Sequence, residues 1–423
     1  MRAGHERSKF LQGEGAVKQL RSRADILVVA SFLPAQGTHG GAAQMYNFWR
    51  NIAQFYKLGR LHLACTSAPG ENRRELVSRL DFFDTVTVEN HSEGPSLGVD
   101  GIPQRFNRFE SKRLAQAISK ICDSKTLSLV SFEMAMSLMY LPYTRNGVPK
   151  LAFLHEALPQ RFMAAAKKDY IRRRSEYRAG MDMAMQVRAF ECSALAKCDY
   201  VNCFSESDKS FYSKLLERSD IGVVPLVVDP KRIRQSARGV EAEPLVVSFS
   251  GAFTHSPNVD AMDFFLSRVW PLVRERCPGA RFRIFGNGVS EALRERWGTA
   301  DAVTIVGHVK NLYAAVASSR VVVVPVVSGS GVRTKLLEAL AIGRPVVATR
   351  LGADGVDVGH GRGAWISSNP SGLAEGICRL LREDELWQKI VADGKAAVTR
   401  HDAQRVATAF LASVGLAREP AVD

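Results

Sequence analysis

The sequence predicts an α/β protein built from two domains, each with a parallel sheet covered by helices on both faces. Short apolar, β-branched runs alternate with segments of helical periodicity, and this alternation stops once and then starts again. A chain of 423 residues is also long enough to bury two cores. Continuous apolar strands between helices are typical of parallel sheets that are buried on both sides.

The first domain is predicted over residues 25–228. Its strands are the apolar runs at 26–30, 61–65, 85–88, 127–132, 151–154, 200–204 and 222–225. Helical periodicity separates these runs and is longest at 42–58 and 182–197. Residues 1–24 form a basic N-terminal extension without an apolar run, so neither an export signal nor a membrane span is expected there.

A linker is predicted at 229–244, where the apolar periodicity is lost and charge, two prolines and a glycine appear. The second domain follows over 245–400, with strands at 245–250, 281–285, 303–306, 320–327 and 345–349. Its first helix is expected to begin with Ser256 as N-cap and Pro257 as first helical residue. Residues 401–423 are expected to form a closing helix and a tail.

The resulting picture is two Rossmann-like domains facing each other across a cleft. Open parallel sheets bind ligands at the carboxyl ends of their strands, so the loops after the strands are expected to carry the chemistry.

Composition narrows the partners but does not select one. The chain has 57 Lys and Arg against 43 Asp and Glu, a net charge of +14, which favours phosphates, nucleic acid or an acidic membrane surface. Its 46% hydrophobic content is that of an ordinary globular protein and excludes disordered and collagen-like classes. The seven cysteines are scattered without metal-binding or redox spacing, which predicts reduced thiols in the cytoplasm.

The most informative stretch is residues 321–349, VVVVPVVSGSGVRTKLLEALAIGRPVVAT. A strand is followed by a Ser/Gly loop, and then by a helix with Arg333 and Lys335 in its first turn. Backbone N–H groups at a helix start together with two cations make a phosphate cradle. The alternative is an ordinary strand-to-helix turn with two solvated cations.

Glu338 lies among leucines five residues after Arg333. An acidic residue in such a position can accept hydrogen bonds from ribose hydroxyls, as in dinucleotide-binding folds. The alternative is a solvated helix glutamate.

At this point the residues resemble a known family. Residues 331–349 resemble the donor-binding core of GT-B-fold glycosyltransferases of family 4, the glycosyl transferase group 1 type. The resemblance extends to SGAFTHSPNVDAMDFF at 250–265, FRIFGNG at 282–288 and VGHVKNLY at 306–313. In the first domain it is weaker: it covers the glycines after the first strand, the strand-end His155, and residues 199–208 and 224–229.

The resemblance implies a retaining, metal-independent transfer of a hexose-like sugar from a nucleoside diphosphate to a carbohydrate or lipid-linked acceptor, with no cofactor. It assigns catalysis to His155, Arg333 and Lys335. It assigns donor binding to Gly40, Gly41, Gly251, Gly286, His308, Val309, Ser330, Gly331, Val332, Arg333, Lys335, Leu336 and Glu338. The family commonly has a second glutamate where this chain has Ser330, so the grip on the donor sugar differs here. The expected setting is the assembly of a polysaccharide or glycolipid.

His155 is expected to emerge at the end of the strand at 151–154, facing the donor sugar, with a hydrogen bond to a sugar hydroxyl. Glu156 is an unlikely partner because consecutive residues of an extended segment point to opposite faces. The alternative is a histidine that caps a strand end through a backbone hydrogen bond.

Further features separate the competing partners. No Asp-x-Asp occurs, which argues against the metal-dependent glycosyltransferase fold. Residues 161–178 mix basic and aromatic side chains, which suits peripheral contact with an anionic membrane on its cytoplasmic face; a solvated helix or loop is the alternative. No nucleic-acid-binding module accompanies the charge, so nucleic acid is not expected. Two other functions stay open: a sugar-nucleotide 2-epimerase-like enzyme, and a catalytically silent binding subunit.

Overall fold

A computed structural model describes residues 24–35, 40–57, 59–68, 70–91, 99–169, 174–329 and 331–416. Ser330 and, apart from Ala24, the predicted basic extension lie outside the described residues.

The first sheet contains the strands that the apolar runs predict. They are β1 Asp25–Ala30, β2 Leu61–Ser67, β3 Thr85–Asn90, β4 Leu127–Glu133, β5 Lys150–Leu154, β6 Tyr200–Cys203 and β7 Gly222–Val223. The order is β3-β2-β1-β4-β5-β6-β7 and every pairing is parallel, with Val29 opposite both Ala64 and Phe132. The order reverses between β1 and β4, which is where open sheets of this kind bind ligands.

Helices cover this sheet on both faces. They are α1 Gly40–Phe55, α2 Arg73–Ser78, α3 Lys112–Ser124, α4 Met134–Ser137, α5 Leu158–Asp169, α6 Arg174–Leu195 and α7 Glu206–Leu216, with 3₁₀ turns at Gln104–Phe109 and Leu138–Tyr143. Because apolar side chains lie on both faces, β1 and β5 are buried at every position after the first.

Part of the predicted linker is helical. Helix α8, Pro230–Ser236, has Asp229 as N-cap, whose carboxylate accepts from the Arg232 N–H at 2.9 Å, and Pro230 in its first turn. An Asp N-cap followed by Pro is a preferred start of a helix. The sequence did not predict this helix because so short a segment shows no apolar periodicity.

The second sheet repeats the arrangement. Its strands are β8 Glu243–Ser250, β9 Arg281–Phe285, β10 Val303–Gly307, β11 Ser319–Val324, β12 Val346–Ala348, β13 Gly359–His360 and β14 Gly363–Ile366. The order is β10-β9-β8-β11-β12-β14-β13, again parallel, with the reversal between β8 and β11. The predicted α/β class and the two Rossmann-like domains are therefore confirmed.

The helices of the second half follow in chain order. They are α9 Ser256–Phe264, a π-helical turn Phe265–Val269, α10 Trp270–Arg276, α11 Glu291–Gly298, α12 Leu312–Ala317, α13 Thr334–Ile342, α14 Arg350–Ala353, α15 Pro370–Arg382, α16 Asp384–Val398, a 3₁₀ turn Thr399–His401 and α17 Ala403–Ser413. His255, not Ser256, is the N-cap of α9, so this helix begins one residue earlier than expected.

The last helix, α17, returns to the first domain. The Phe410 ring lies 5.1 Å from that of Phe48 and 6.1 Å from that of Phe153, and Asn202 donates to the Ser413 hydroxyl at 2.8 Å. Within the described residues the chain therefore crosses between the domains twice. The two crossings lie side by side, because the Val228 N–H donates to the His401 carbonyl at 3.1 Å.

Candidate functional site

A cavity of about 980 Å³ lies between the domains at the carboxyl ends of both sheets. Of the predicted site residues, those that line it are Gly41, His155, Gly251, Gly286, His308, Val309, Gly331, Val332, Arg333, Lys335 and Glu338. The fold thus brings together loops that are up to three hundred residues apart in the sequence, as strand-end positions predict.

One described residue of the predicted set, Leu336, does not line this cavity. Gly40 is the first residue of α1, one position before Gly41. Leu336 has a fully buried side chain, and its N–H donates to the Arg333 carbonyl at 3.0 Å, which removes that donor from a phosphate cradle.

The loop after β11 presents Arg333 to the cavity. Helix α13 begins at Thr334 with Arg333 as N-cap and no side-chain cap, so its first turn is open to an external acceptor. The Arg333 Nη1 group donates to the Gly331 carbonyl at 2.7 Å. Burial lowers the pKa of Arg333, in part offset by the Glu156 carboxylate. A cation that loses hydration in this way gains most from an anion in the cavity.

Lys335 lies beside Arg333 and is likewise half-buried. Its Nζ donates to Asn258 Oδ1 at 2.7 Å and lies 4.0 Å from the centroid of the Phe249 ring. Burial, and then the Arg333 charge, lower the pKa of Lys335 to about 7. Gly251 gives the ammonium its room, because a Cβ at that position would come within 2.9 Å of Nζ. Asn258 carries no sequence signal of this role, since only the fold brings α9 to α13.

Glu338 projects from α13 one turn further on. Its Oε1 accepts from the Tyr313 hydroxyl at 3.2 Å, and burial raises the pKa of the carboxyl group. Glu338 is half-buried and hydrogen-bonded, which favours the binding role over the alternative of a solvated helix glutamate. Tyr313 lies within the stretch 306–313 that resembles a base-binding loop, but nothing in the sequence pairs it with Glu338.

His155 has a carboxylate partner that the sequence did not point to. Its Nε2 lies 2.8 Å from Oε2 of Glu133, the last residue of β4, and both side chains are buried, with exposed fractions of 6% and 1%. An ionised carboxylate only accepts, so Nε2 carries the proton. The neutral ring then presents Nδ1 as an acceptor, and only the imidazolium could donate there. This corrects the expectation that neutral His155 donates to a sugar hydroxyl.

Glu156 is not that partner, in agreement with the alternation of side chains; it pairs with Arg161 at 2.5 Å. The loop that follows β5 is bound to α7 of the same domain, because the Ala157 N–H donates to Asp208 at 3.2 Å. Burial raises the pKa of Asp208 to about 6.

The two domains meet at this loop. Gly331 has a positive φ of 81°, and a Cβ there would lie 3.2 Å from the His155 carbonyl oxygen. A second contact is the Ser207 hydroxyl, which donates to Asp354 at 2.8 Å. The phosphate-cradle loop of one domain therefore lies directly against the His155 segment of the other.

The predicted membrane segment is only partly described. Arg161 and Phe162, at its start, line the cavity. No helix within the described ranges is long and apolar enough to cross a bilayer. Among those same residues, no three His, Cys, Asp or Glu side chains are grouped to hold a metal ion.

Comparisons with known proteins agree with this architecture. The family model described as glycosyl transferases group 1 matches residues 244–383. A phosphatidyl-myo-inositol mannosyltransferase of Mycobacterium leprae (strain TN) is 34% identical over 150 residues, which is 33% of this chain and 39% of the relative. Its counterpart in Mycobacterium tuberculosis (strain ATCC 25618 / H37Rv) is 30% identical over 209 residues, 46% of this chain and 53% of the relative. The match spans about half the length of these curated relatives, or less.

Solved structures match over nearly the whole chain. Anabaena HepE in complex with UDP superposes with a TM-score of 0.65 at 13% identity, covering 92% of this chain and 99% of that one. Sucrose-phosphate synthase from Thermosynechococcus elongatus gives 0.65 at 15% identity, covering 91% and 96%. At such identities the likeness shows the fold.

Two parallel-sheet domains with a shared cavity at their strand ends define the class as GT-B. Within that fold, residues 244–383 match the model of the group 1 glycosyl transferases, and the two mycobacterial relatives, similar over a third to a half of this chain, are named mannosyltransferases.

Proposed function

We propose that the protein is a retaining, metal-independent glycosyltransferase that moves a hexose-like sugar from a nucleoside diphosphate to a carbohydrate or lipid-linked acceptor. The observation that carries the proposal is the pair Arg333 and Lys335. Both are poorly hydrated and face the cavity at the open start of α13. Such a pair binds and neutralises a diphosphate.

The donor is placed along the wall formed by the second domain. The diphosphate lies against Arg333, Lys335 and the first turn of α13. The ribose hydroxyls donate to Glu338, and the base lies near His308 and Val309, which follow β10 and line the cavity. The sugar then extends toward His155 in the opposite wall.

The chemistry follows from where charge develops. The bond between the anomeric carbon and the β-phosphate oxygen breaks while the acceptor oxygen bonds to the same carbon on the same face. The proton of the acceptor hydroxyl passes to the departing β-phosphate oxygen. Negative charge grows on the departing diphosphate, and oriented cations that lie there before the reaction stabilise this charge. His155, held by Glu133, contacts the sugar.

The similar proteins suggest the first substrates to try. The Anabaena structure contains UDP, so a uridine donor is a reasonable starting point. The mycobacterial relatives are named for phosphatidyl-myo-inositol, which supports a lipid-linked acceptor as one choice. We place the reaction in the cytoplasm, with residues 161–178 in contact with the inner face of the membrane, as part of polysaccharide or glycolipid assembly.

The test incubates the full chain with a panel of UDP-, GDP- and ADP-sugars, with and without EDTA. Release of nucleoside diphosphate, increased by an acceptor and unaffected by EDTA, is expected. An isomerised sugar nucleotide without free nucleotide would point to the 2-epimerase-like activity, and binding without turnover to a silent subunit. A thermal-shift screen of the free nucleotides identifies the base, because a ligand that binds only the folded state raises the Tm.

A further inference from the structure

The wall of the cavity that belongs to the first domain carries a second group of cations, which the donor does not use. Arg105 and Arg108 lie on the 3₁₀ turn Gln104–Phe109 and line the cavity. Residues three apart on such a turn are nearly eclipsed, so both side chains project to the same side. Phe106 and Phe109 bury the other side of the turn, with exposed fractions of 2% and 8%. The two guanidinium groups are therefore carried on an anchored segment.

Aromatic rings hold these guanidinium groups in place. Arg105 lies 5.3 Å from the centroid of the Phe162 ring, and Arg108 lies 4.6 Å from that of Phe109. Arg161 lies 6.0 Å from the centroid of the same Phe162 ring. A guanidinium that lies over a ring keeps N–H groups available for contact with phosphate or carboxylate.

The charge in this region is not balanced by nearby acids. Arg161 is paired with Glu156, but within the described part of the chain neither Arg105 nor Arg108 has an acidic group in ion-pair distance. Glu71 and His91 also line this part of the cavity, and the Glu71 carboxylate accepts from the Ala68 N–H at 3.0 Å. Burial, followed by the charges of Arg108 and Arg161, lowers the pKa of Arg105, as expected where like charges crowd.

This group is separate from the donor cradle. Arg105 and Arg108 lie on the turn Gln104–Phe109 of the first domain, whereas Arg333 and Lys335 lie at the start of α13 in the second. Arg161, neutralised by Glu156, lies between the two groups and interacts with both Arg105 and Arg333. One cavity thus holds two cationic subsites, one in each domain.

We propose that Arg105 and Arg108 bind a negatively charged group, a phosphate or a carboxylate, on the acceptor, which is therefore an acidic saccharide or an anionic lipid headgroup. This inference rests on the proposed glycosyltransferase function, because the donor must occupy the other subsite. It assigns selection of the acceptor to the first-domain turn 104–109.

The test uses the full chain saturated with the nucleoside diphosphate that it binds best. The probes are glucose, glucuronate, glucose 6-phosphate, and vesicles of phosphatidylcholine with or without phosphatidylinositol. The variant is Arg105→Gln/Arg108→Gln. Its control is Lys112→Gln/Arg113→Gln, which removes the same charge from the exposed start of α3. Affinity for each probe, nucleotide affinity and donor hydrolysis without acceptor are measured for all three proteins.

The charged probes are expected to bind the wild type and the control equally and the Arg variant at least ~10-fold more weakly, as loss of charge-assisted hydrogen bonds predicts. Glucose and nucleotide affinities and donor hydrolysis stay unchanged. A loss confined to glucuronate and glucose 6-phosphate identifies a soluble acidic acceptor; a loss confined to phosphatidylinositol vesicles identifies a lipid.

Two results would overturn the anionic subsite: no binding of any charged probe by the wild type, or equal binding by the wild type and the Arg variant. Failure of the wild type to hydrolyse or transfer any donor sugar overturns the proposed function instead. The two failures are thus distinguishable.

Discussion

Nε2 of His155 lies 2.8 Å from Oε2 of Glu133, at the adjoining ends of β5 and β4. The other carboxylate oxygen of Glu133 accepts from the Ser131 hydroxyl at 3.0 Å. The imidazole is therefore held in one orientation, with its Nε2 proton donated to Glu133. Nδ1 has no hydrogen-bond partner among the described residues. The Glu133 carboxylate thus fixes both the tautomer and the orientation of the histidine.

We predict that His155→Ala lowers turnover by roughly 10²-fold while the affinity for free nucleoside diphosphate changes little, because the lost contact is to the sugar or the transition state. Glu133→Gln should lower kcat by roughly 10-fold with the same nucleotide affinity, since the amide no longer selects the tautomer. Effects that act through one imidazole are not additive, so the double variant should resemble His155→Ala alone.

Steady-state kinetics and nucleotide titration of the three variants check this prediction. Glu89→Gln on the edge strand β3 serves as the matched control. Wild-type kcat in Glu133→Gln, or an equal loss of affinity for the bare nucleotide, would contradict the positioning role.

Arg333→Ala and Lys335→Ala should each weaken diphosphate binding and slow transfer by roughly 10²-fold or more, as removal of an oriented charge at a developing oxyanion does. The corresponding nucleoside monophosphate should lose much less affinity. Arg350→Ala, at the exposed start of α14, is the control for surface charge. Unchanged turnover in both cradle variants, with circular dichroism showing an intact fold, would rule the cradle out.

The lowered pKa of Lys335, about 7, gives nucleotide binding a pH dependence of definite sign. A bound diphosphate favours the ammonium form, so binding above pH ~7 takes up a proton and the affinity falls as the pH rises. Calorimetric titration in buffers of different ionisation enthalpy measures this proton uptake directly. Lys335→Met should bind weakly with little pH dependence, whereas Lys389→Met on the exposed face of α16 should behave as the wild type. Absence of proton uptake by the wild type at pH 8 would refute the prediction.

Linkage gives the same residue an effect on stability. Its pKa in the folded protein is lower than the value of about 10 expected for an unfolded chain, so between these values the unfolded state binds more protons. The contribution of Lys335 to the free energy of unfolding of the ligand-free protein should therefore increase as the pH rises from about 7 to about 10. Denaturant unfolding of the wild type and Lys335→Met across this range measures the difference between their free energies of unfolding. If the pKa of Lys335 is unperturbed, this difference does not change with pH.

Glu338→Gln should weaken donor binding by about 1 to 3 kcal/mol through loss of a charged hydrogen bond to the ribose. A 2′-deoxy or 3′-deoxy nucleotide should then lose little further affinity. Tyr313→Phe removes only the hydroxyl that donates to Glu338, and should have a smaller effect of the same kind. Glu295→Gln, exposed on α11, is the control. If Glu338→Gln lowers Tm but preserves the discrimination against deoxyribose, the glutamate is structural.

The sequence by itself determined the two-domain α/β class and the parts of the site that lie within one strand, loop and helix. Alternation of apolar runs with helical periodicity is a local signal, and so is the spacing of Gly331, Arg333, Lys335 and Glu338. Lys335 and Glu338 are three residues apart in one helix, so their common face follows from helix geometry, and Gly331 and Arg333 lie in the loop directly before it.

Only the tertiary structure decided the partners of those residues. Glu133 meets His155 because β4 and β5 are neighbours in register, Asn258 meets Lys335 because α9 and α13 follow adjacent strands, and Arg105 joins the cavity through a turn anchored by two phenylalanines. The helical linker α8 and the return of α17 to the first domain were likewise decided only by the tertiary structure. Each of these contacts joins segments that are distant along the chain, so it depends on strand order, burial and domain closure. A local pattern of residues predicts none of these three.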